Sequence, residues 1–297
     1  MPGEFDLIEW IKSQHSPSAF VKVPQGDDLA VLDWDAGDLL LVGVDQVLDG
    51  VHFDSTIHGP RLIGRKVMNR NLSDCAAMAC LPAAAVATVA LPRGVGLEYA
   101  RELYLGLREA GDVFNCPIVG GDTASWPGKL AMTLTILGKS AGIAPITRAG
   151  AKAGDGLYVT GPLGGSILGR HITFLPRINL ARELASTGAI TAMLDLSDGL
   201  SRDLPHICRQ SGVGAILQAR RIPIHPDAGE LSQRTGTDPL EHALHDGEDH
   251  ELLFAATRDP GLPGIVRIGT VLQEPGVWIE HPDRRELLAP RGWEHSI

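Results

Sequence analysis

The apolar residues of this chain come in short runs, and that constrains the fold more than any other feature. None reaches the ~18 consecutive apolar residues of a membrane-spanning helix, and most are cut off by Gly, Pro or Asp. Such a chain must build its core from layers of short strands and helices. Glycine makes up 35 of the 297 residues, about 12%, against a usual ~7%. With no short period and no longer repeat, that excess implies many tight turns and close backbone approaches.

The run at 39–44 reads as a buried strand ending at Asp45. Residues 60–80 open with Pro60 and place Ile63, Val67, Met68 and Leu72 at helical spacing, so a helix is expected there. A strand over 84–91 and an amphipathic helix over 97–110 follow, then a Gly-Gly-Asp turn after 117–119 and a strand over 130–137. Periodic structure gives way to Gly, Ala and Pro over 139–156. Beyond it come strands at 157–160, 192–196, 213–218 and 252–257, and a helix over 199–210 interrupted by Pro205. Both halves are of mixed α/β character, and a division into residues 1–142 and 143–297 is expected.

Lys and Arg number 26 against 36 Asp and Glu, a net charge of −10. A nucleic-acid partner or an anionic membrane surface is therefore not expected. Cys75, Cys80, Cys116 and Cys208 form no CxxC pair, which argues against structural zinc. Met1-Pro2-Gly3-Glu4 does not begin a secretory leader. The cysteines read as buried thiols in a reducing cytoplasm.

The aspartates hold the chemical information. Asp27 and Asp28 follow Gly26, Asp45 closes a strand, and Asp74 shares a helix face with Asn71. Asp122 lies in Gly120-Gly121-Asp122-Thr123, and Asp195 and Asp198 flank Ser197. Any one could be a turn or N-cap residue. Together they lie beside turns and element ends, where side chains reach a cleft. Gathered carboxylates repel one another unless a cation intervenes, and hard oxygen donors suit Mg²⁺, Mn²⁺ or Ca²⁺. Mg²⁺ usually arrives with phosphates. Yet the chain has no G-x-x-x-x-G-K-[ST] loop, Gly161-Pro162-Leu163-Gly164-Gly165 lacks its Lys, and Gly212-Val213-Gly214 lacks the third Gly of a dinucleotide fingerprint. Metal ions would have to do most of the charge neutralisation.

Seven motifs occur in order: Gly26-Asp27-Asp28, Asp49-Gly50-Val51-His52-Phe53, Asn69-Arg70-Asn71-Leu72-Ser73-Asp74, Gly120-Gly121-Asp122-Thr123, Thr147-Arg148-Ala149-Gly150-Ala151, Asp195-Leu196-Ser197-Asp198-Gly199-Leu200 and Gly247-Glu248-Asp249-His250-Glu251-Leu252-Leu253-Phe254. The ordered set resembles the thiamine-monophosphate kinase family of the aminoimidazole ribonucleotide synthetase superfamily, from Gly3-Glu4-Phe5 to Gly292-Trp293. The resemblance implies an α/β subunit whose N-terminal domain pairs with its copy in a dimer barrel and whose C-terminal domain covers the cleft. It implies Mg²⁺-dependent transfer of a phosphoryl group from ATP to thiamine monophosphate. By matching position, Asp28, Asp45, Asp74, Asp122 and Asp195 would hold the metal cluster, with the backbone of Val44 and with Asp198 on a further ion. Gly121, Asp122, Arg148, Ser197 and Tyr104 would contact ATP. His52, Glu248 and Trp293 would contact thiamine monophosphate.

Such roles suit the reaction. Two anionic substrates need cations between them, a phosphate oxygen is already a nucleophile, and Trp293 offers a flat face to a cationic ring. The sequence also departs from the family. Gly43 and Val44 stand where two hydroxyl residues are usual, His250 replaces a usual Tyr, and the stretch from Gly169 to Asp195 is short. Two other readings compete. One is a sister enzyme such as aminoimidazole ribonucleotide synthetase, selenophosphate synthetase or the hydrogenase-maturation dehydratase. The first cysteine at Cys75 and the ending His295-Ser296-Ile297 fit neither of the last two. The other is a catalytically weak nucleotide-binding homologue.

Overall fold

The computed structural model describes residues 21–23, 27–35 and 38–294. Gly3-Glu4-Phe5, Gly26 and His295-Ser296-Ile297 lie outside them. The chain forms two mixed sheets with helices packed between and around them.

The first sheet has six strands: β1 (Val21–Val23), β2 (Ala30–Asp35), β3 (Asp38–Leu48), β4 (Leu81–Pro92), β5 (Ile118–Trp126) and β6 (Ala131–Lys139), in the order β1-β2-β3-β6-β4-β5. Only β4 and β5 run parallel. Asp45 does not end its strand, because β3 continues to Leu48 paired against β6. Strand alternation places Leu41, Asp45 and Val47 toward the helices and Val44 and Gln46 on the outer face. The expected Gly-Gly-Asp turn is also absent. Residues 120–122 lie within β5, in register with Val86, Ala87 and Thr88. A Cβ on Gly121 would sit 2.0 Å from the Ala87 carbonyl oxygen, so glycine here permits close strand approach rather than a turn.

Helices α1 (Pro60–Ala77) and α2 (Gly96–Asp112) cover the inner face. Pro60 stands in the first turn of α1, where its missing N–H costs nothing. The two helices cross where Gly64 meets the Leu103 carbonyl and Gly106 meets that of Arg61. A Cβ at either position would lie about 2 Å from that oxygen. Most of α1 is buried, polar side chains included: Lys66, Asn69, Asn71 and Ser73 are at most 1% exposed.

The second sheet has seven strands: β7 (Gly156–Val159), β8 (Ile190–Asp195), β9 (Gly214–Gln218), β10 (Leu252–Ala256), β11 (Val266–Leu272), β12 (Val277–Glu280) and β13 (Arg285–Leu287), in the order β13-β12-β9-β11-β7-β10-β8. Around it lie α3 (Arg170–Thr173), α4 (Ile178–Ser186), α5 (Leu200–Ser211), α6 (Pro226–Thr235) and α7 (Pro239–His245). Pro205 does not break α5, which runs on to Ser211 and closes at Gly212 with φ 68°. One backbone bond is lost there, while Leu200, Leu204, Ile207 and Cys208 bury into the second core.

A hydrophobic core spans both halves, joining Val67, Met68 and Leu72 of α1 to Tyr158, Ile178, Met193, Leu252 and Phe254. Helix α1 is thus an interior element of the whole molecule. All four cysteines are free and buried, as their composition suggested. No described helix is long and apolar enough to cross a membrane.

Candidate active site

Three aspartates from three distant segments converge. Asp28 precedes β2, Asp74 lies on α1 and Asp195 ends β8. Each offers an oxygen within 4.8 Å of the other two. Burial pushes the Asp28 carboxyl up to about 7, even though Arg148 donates to both of its oxygens at 3.0 Å. Burial, then the charges of Asp195, Asp45 and Asp28, push Asp74 well above the carboxylate range. Burial acts the same way on Asp195, but hydrogen bonds from His250 (3.2 Å) and Ser73 (2.6 Å) hold it below its ordinary value. Crowded carboxylates that resist ionising together form an all-oxygen donor set suited to a hard divalent cation.

A second constellation lies beside them. Val51, His52, Arg70, Ile167, Ser197, Asp198, Asp246, Glu248 and Trp293 line a cleft of about 160 Å³ between the two halves. Its Glu248 stands at φ 51° and the neighbouring His250 at 50°, a region non-glycine residues seldom occupy. Backbone bonds impose it: Glu248 N–H donates to Ser197 O at 2.7 Å and His250 N–H to Leu196 O at 2.8 Å. The Glu248 carboxylate accepts from Lys66 Nζ at 2.7 and 2.9 Å and from Arg70 at 2.8 Å, and lies 3.1 Å from His171 Nδ1. Burial opposes its charge, but His171, Lys66 and Arg70 hold it far below the usual carboxylate range. Lys66 is fully buried, and burial draws its pKa down to about 8 despite Glu248.

His52 Nδ1 accepts the Leu48 N–H at 3.0 Å, so the neutral ring carries its proton on Nε2. Burial, followed by Arg70, lowers its pKa to about 4. Trp293 reaches the cleft because Gly292, at φ 131°, lets the chain press onto the Asp198 carbonyl; a Cβ there would lie 2.2 Å away. The Trp293 N–H donates to that same carbonyl at 3.2 Å.

The sequence-derived candidates therefore fall into separate places. His52, Ser197, Asp198, Glu248 and Trp293 share the cleft. Asp28, Asp74 and Asp195 share the carboxylate cluster, with Arg148 on Asp28. Tyr104, Gly121 and Asp122 share a different pocket between α2 and β5, of about 430 Å³, with apolar walls including Leu103, Leu107 and Val119. Arg148 and Ser197 do not line that pocket. Asp45 stands outside the three-carboxylate group, and Arg70 Nε donates to it at 2.6 Å. The Val44 side chain is 64% exposed on the outer face.

Sequence reasoning passed over Lys66, Arg70 and His171. A signal existed for two of them. Lys66, Arg70 and Asp74 recur every fourth residue and so share one face of α1. On a helix otherwise buried, basic residues on that face need acidic partners.

Comparison with known proteins gives a consistent result. Residues 26–140 match the family model "AIR synthase related protein, N-terminal domain", and residues 152–279 match "AIR synthase related protein, C-terminal domain". The chain is 40% identical to the thiamine-monophosphate kinase of Rhodopirellula baltica, over 99% of this chain and 97% of that one. It is 28% identical to that of Aquifex aeolicus, over 99% and 98%. A solved structure described as AaThiL complexed with AMPPCP and TMP superposes with a TM-score of 0.88 at 28% identity, covering 99% and 97% of the two chains. The hydrogenase maturation protein HypE in complex with ATP, at 17% identity and a TM-score of 0.72, shares the fold.

Proposed function

The chain belongs to the thiamine-monophosphate kinase family of AIR synthase related proteins, and from that premise we propose how its own residues carry the reaction. It transfers the γ-phosphoryl group of ATP to thiamine monophosphate, giving thiamine diphosphate and ADP. The observation that carries the residue assignment is the cleft of His52, Glu248 and Trp293, close enough to the carboxylate cluster that Arg70 pairs with Glu248 and feels the charge of Asp74.

Asp28, Asp74 and Asp195 would hold Mg²⁺, which when bound draws charge from the phosphate oxygens of both substrates. Asp122, Asp198 and the Val44 carbonyl would be further ligands. Arg148, Ser197, Tyr104, Gly121 and Asp122 contact ATP. Trp293 offers its face to the cationic thiamine ring, a contact worth about 0.5–2 kcal/mol. Glu248 is held ionised and turned inward, as an acceptor for the amino group of the substrate. Neutral His52 presents Nε2–H as a donor.

No protein nucleophile is required. A phosphate oxygen of thiamine monophosphate attacks the γ-phosphorus, the bond from that phosphorus to the β–γ bridging oxygen breaks, and ADP leaves with the electron pair. The chain's task is to hold the two in line and exclude water.

The 1–142 and 143–297 halves divide the labour, the first supplying most metal and nucleotide contacts and the second closing the cleft. The edge of the first sheet supports a homodimer. Among the described residues, strand β5 is paired on one side only and exposed along its length, a liability unless another chain covers it. Four free, buried cysteines fit a reducing cytoplasm.

The test is a coupled ADP-release assay comparing thiamine monophosphate, thiamine and aminoimidazole ribonucleotide precursors. Turnover is expected with thiamine monophosphate alone, with thiamine diphosphate as product. Label from the γ-phosphate remaining on denatured protein would refute direct transfer.

A further inference from the structure

Arg70 is the fixed positive charge among the described residues lining the cleft. Its side chain is only 14% exposed and is held at two points: Nε donates to Asp45 Oδ2 at 2.6 Å and Nη1 to Glu248 Oε1 at 2.8 Å. Asp45 itself lies outside the three carboxylates that could share a cation. The two residues before it on β3 offer no side-chain oxygen to build a second site around it. Gly43 has no side chain, and a Cβ there would lie 2.2 Å from Leu29 Cδ2. Val44 points to the opposite face of the sheet, and Leu134 stands across from Asp45 in β6.

We propose that Arg70 takes the place of a divalent ion beside Asp45, so that in this chain Asp45 is a partner of arginine rather than a metal ligand. The inference rests on the metal assignment above and narrows it. A second cation at Asp45 would meet a guanidinium already in hydrogen-bonding contact, and like charges that close repel strongly in a partly buried site. Arg148 on Asp28 is a different case. Asp28 has Asp74 and Asp195 beside it, so a divalent ion there gains three carboxylates for one guanidinium displaced. Arg70 has a further duty that an ion could not perform so directionally. Its planar fork joins Asp45 of the first sheet to Glu248 of the second half, which positions Glu248 at the substrate.

The test counts Mn²⁺ bound per chain, by electron paramagnetic resonance of the free ion, with a non-hydrolysable ATP analogue and thiamine monophosphate present. Thermal unfolding of each variant accompanies it. Asp45→Asn is expected to bind as many ions as the wild type. Arg70→Leu, which leaves Asp45 and Glu248 facing each other without their shared guanidinium, is expected to bind one more, and Arg70→Leu/Asp45→Asn to lose that gain. Arg70→Lys, which keeps the charge, is expected to match the wild type. Loss of an ion in Asp45→Asn, or an unchanged count in folded Arg70→Leu, would overturn the proposal. Failure of the broader metal assignment looks different: Asp28→Asn would then leave the count unchanged, whereas it is expected to lower it.

Discussion

The two sides of the first sheet are built to opposite ends. The inner side faces α1, and there charged groups are matched from other segments, Asp45 by Arg70, Glu248 by Lys66 and Arg70, and Asp28 by Arg148, while Asp74 stands among crowded carboxylates. The outer side and the β5 edge are left open, with Val44 64%, Val119 63% and Trp126 45% exposed, and Tyr104 of α2, 49% exposed, stands beside that edge. A single chain thus completes one surface and leaves the other unfinished. Buried charges must find partners within the fold to survive desolvation, whereas exposed apolar residues can wait for a second copy. The inner side should therefore fail through chemistry and the outer side through assembly.

The largest effect is expected on the inner side. Asp74→Asn should lower turnover by about 10²–10³-fold, the scale seen when one group aimed at developing charge is removed. The variant should fold with an unchanged or higher Tm, because neutralising one of three crowded carboxylates relieves repulsion. Near wild-type turnover at saturating Mg²⁺ would break the assignment of the cluster.

Next is Glu248→Gln. It leaves the fully buried Lys66 without its carboxylate, and removing one partner of a buried pair costs about 3–5 kcal/mol. A lower Tm should accompany a KM for thiamine monophosphate raised roughly tenfold, equivalent to about 1.4 kcal/mol. Lys66→Met/Glu248→Gln separates the two effects: stability should recover while KM stays high. Recovery of both would mean that Glu248 serves the fold and not the substrate.

The contrast between the sides also explains what could be read from sequence. The long helix at 60–80, the strands at 130–137 and 252–257, and the order of the aspartate motifs were legible because they depend on local periodicity and on residues fixed by the chemistry. The convergence of Asp28, Asp74 and Asp195 followed from the resemblance, not from spacing, since the three lie on segments far apart in the chain. What escaped was set by pairing across the molecule. Residues 120–122 have turn composition but lie in β5 because β4 runs alongside. Pro205 should weaken α5, yet tertiary burial keeps it whole. Lys66 carries no local sign of burial; its partners are Glu248, 182 positions later, His171 and the His52 carbonyl.

On the outer side the expected failure is of association. Val119→Asp places a charge in the exposed pocket shared with Tyr104 and Asp122, close to an acidic residue already there. The proposed homodimer should dissociate at concentrations where the wild type holds together, as read by light scattering, with circular dichroism unchanged. The KM for ATP should rise a few-fold, and that for thiamine monophosphate less. A variant that stays dimeric would show that the β5 side is not the contact, and the difference between the two surfaces would need another cause.

The smallest effect tests whether β3 keeps its two faces apart. The family's usual hydroxyl at position 44 would suggest that Val44→Thr supplies a metal ligand and lowers the Mg²⁺ requirement. The structure argues otherwise. Adjacent side chains of a strand point to opposite faces, so a Thr at 44 would sit on the outer face, across from Thr135 of β6, while Asp45 faces α1 and Arg70. Only the backbone carbonyl of residue 44 is available to a metal, and the substitution leaves that group intact. The Mg²⁺ concentration giving half-maximal rate should therefore change less than about twofold, within ~0.4 kcal/mol, and Tm should hold because the site is exposed. The companion change Gly43→Ser should do worse. Gly43 is not in the left-handed region, but its Cβ would collide with Leu29, so crowding rather than backbone strain lowers stability there. A clear drop in the Mg²⁺ requirement of folded Val44→Thr would show that the strand turns its 44 side chain inward when substrates bind, and would place both faces of the sheet in the reaction.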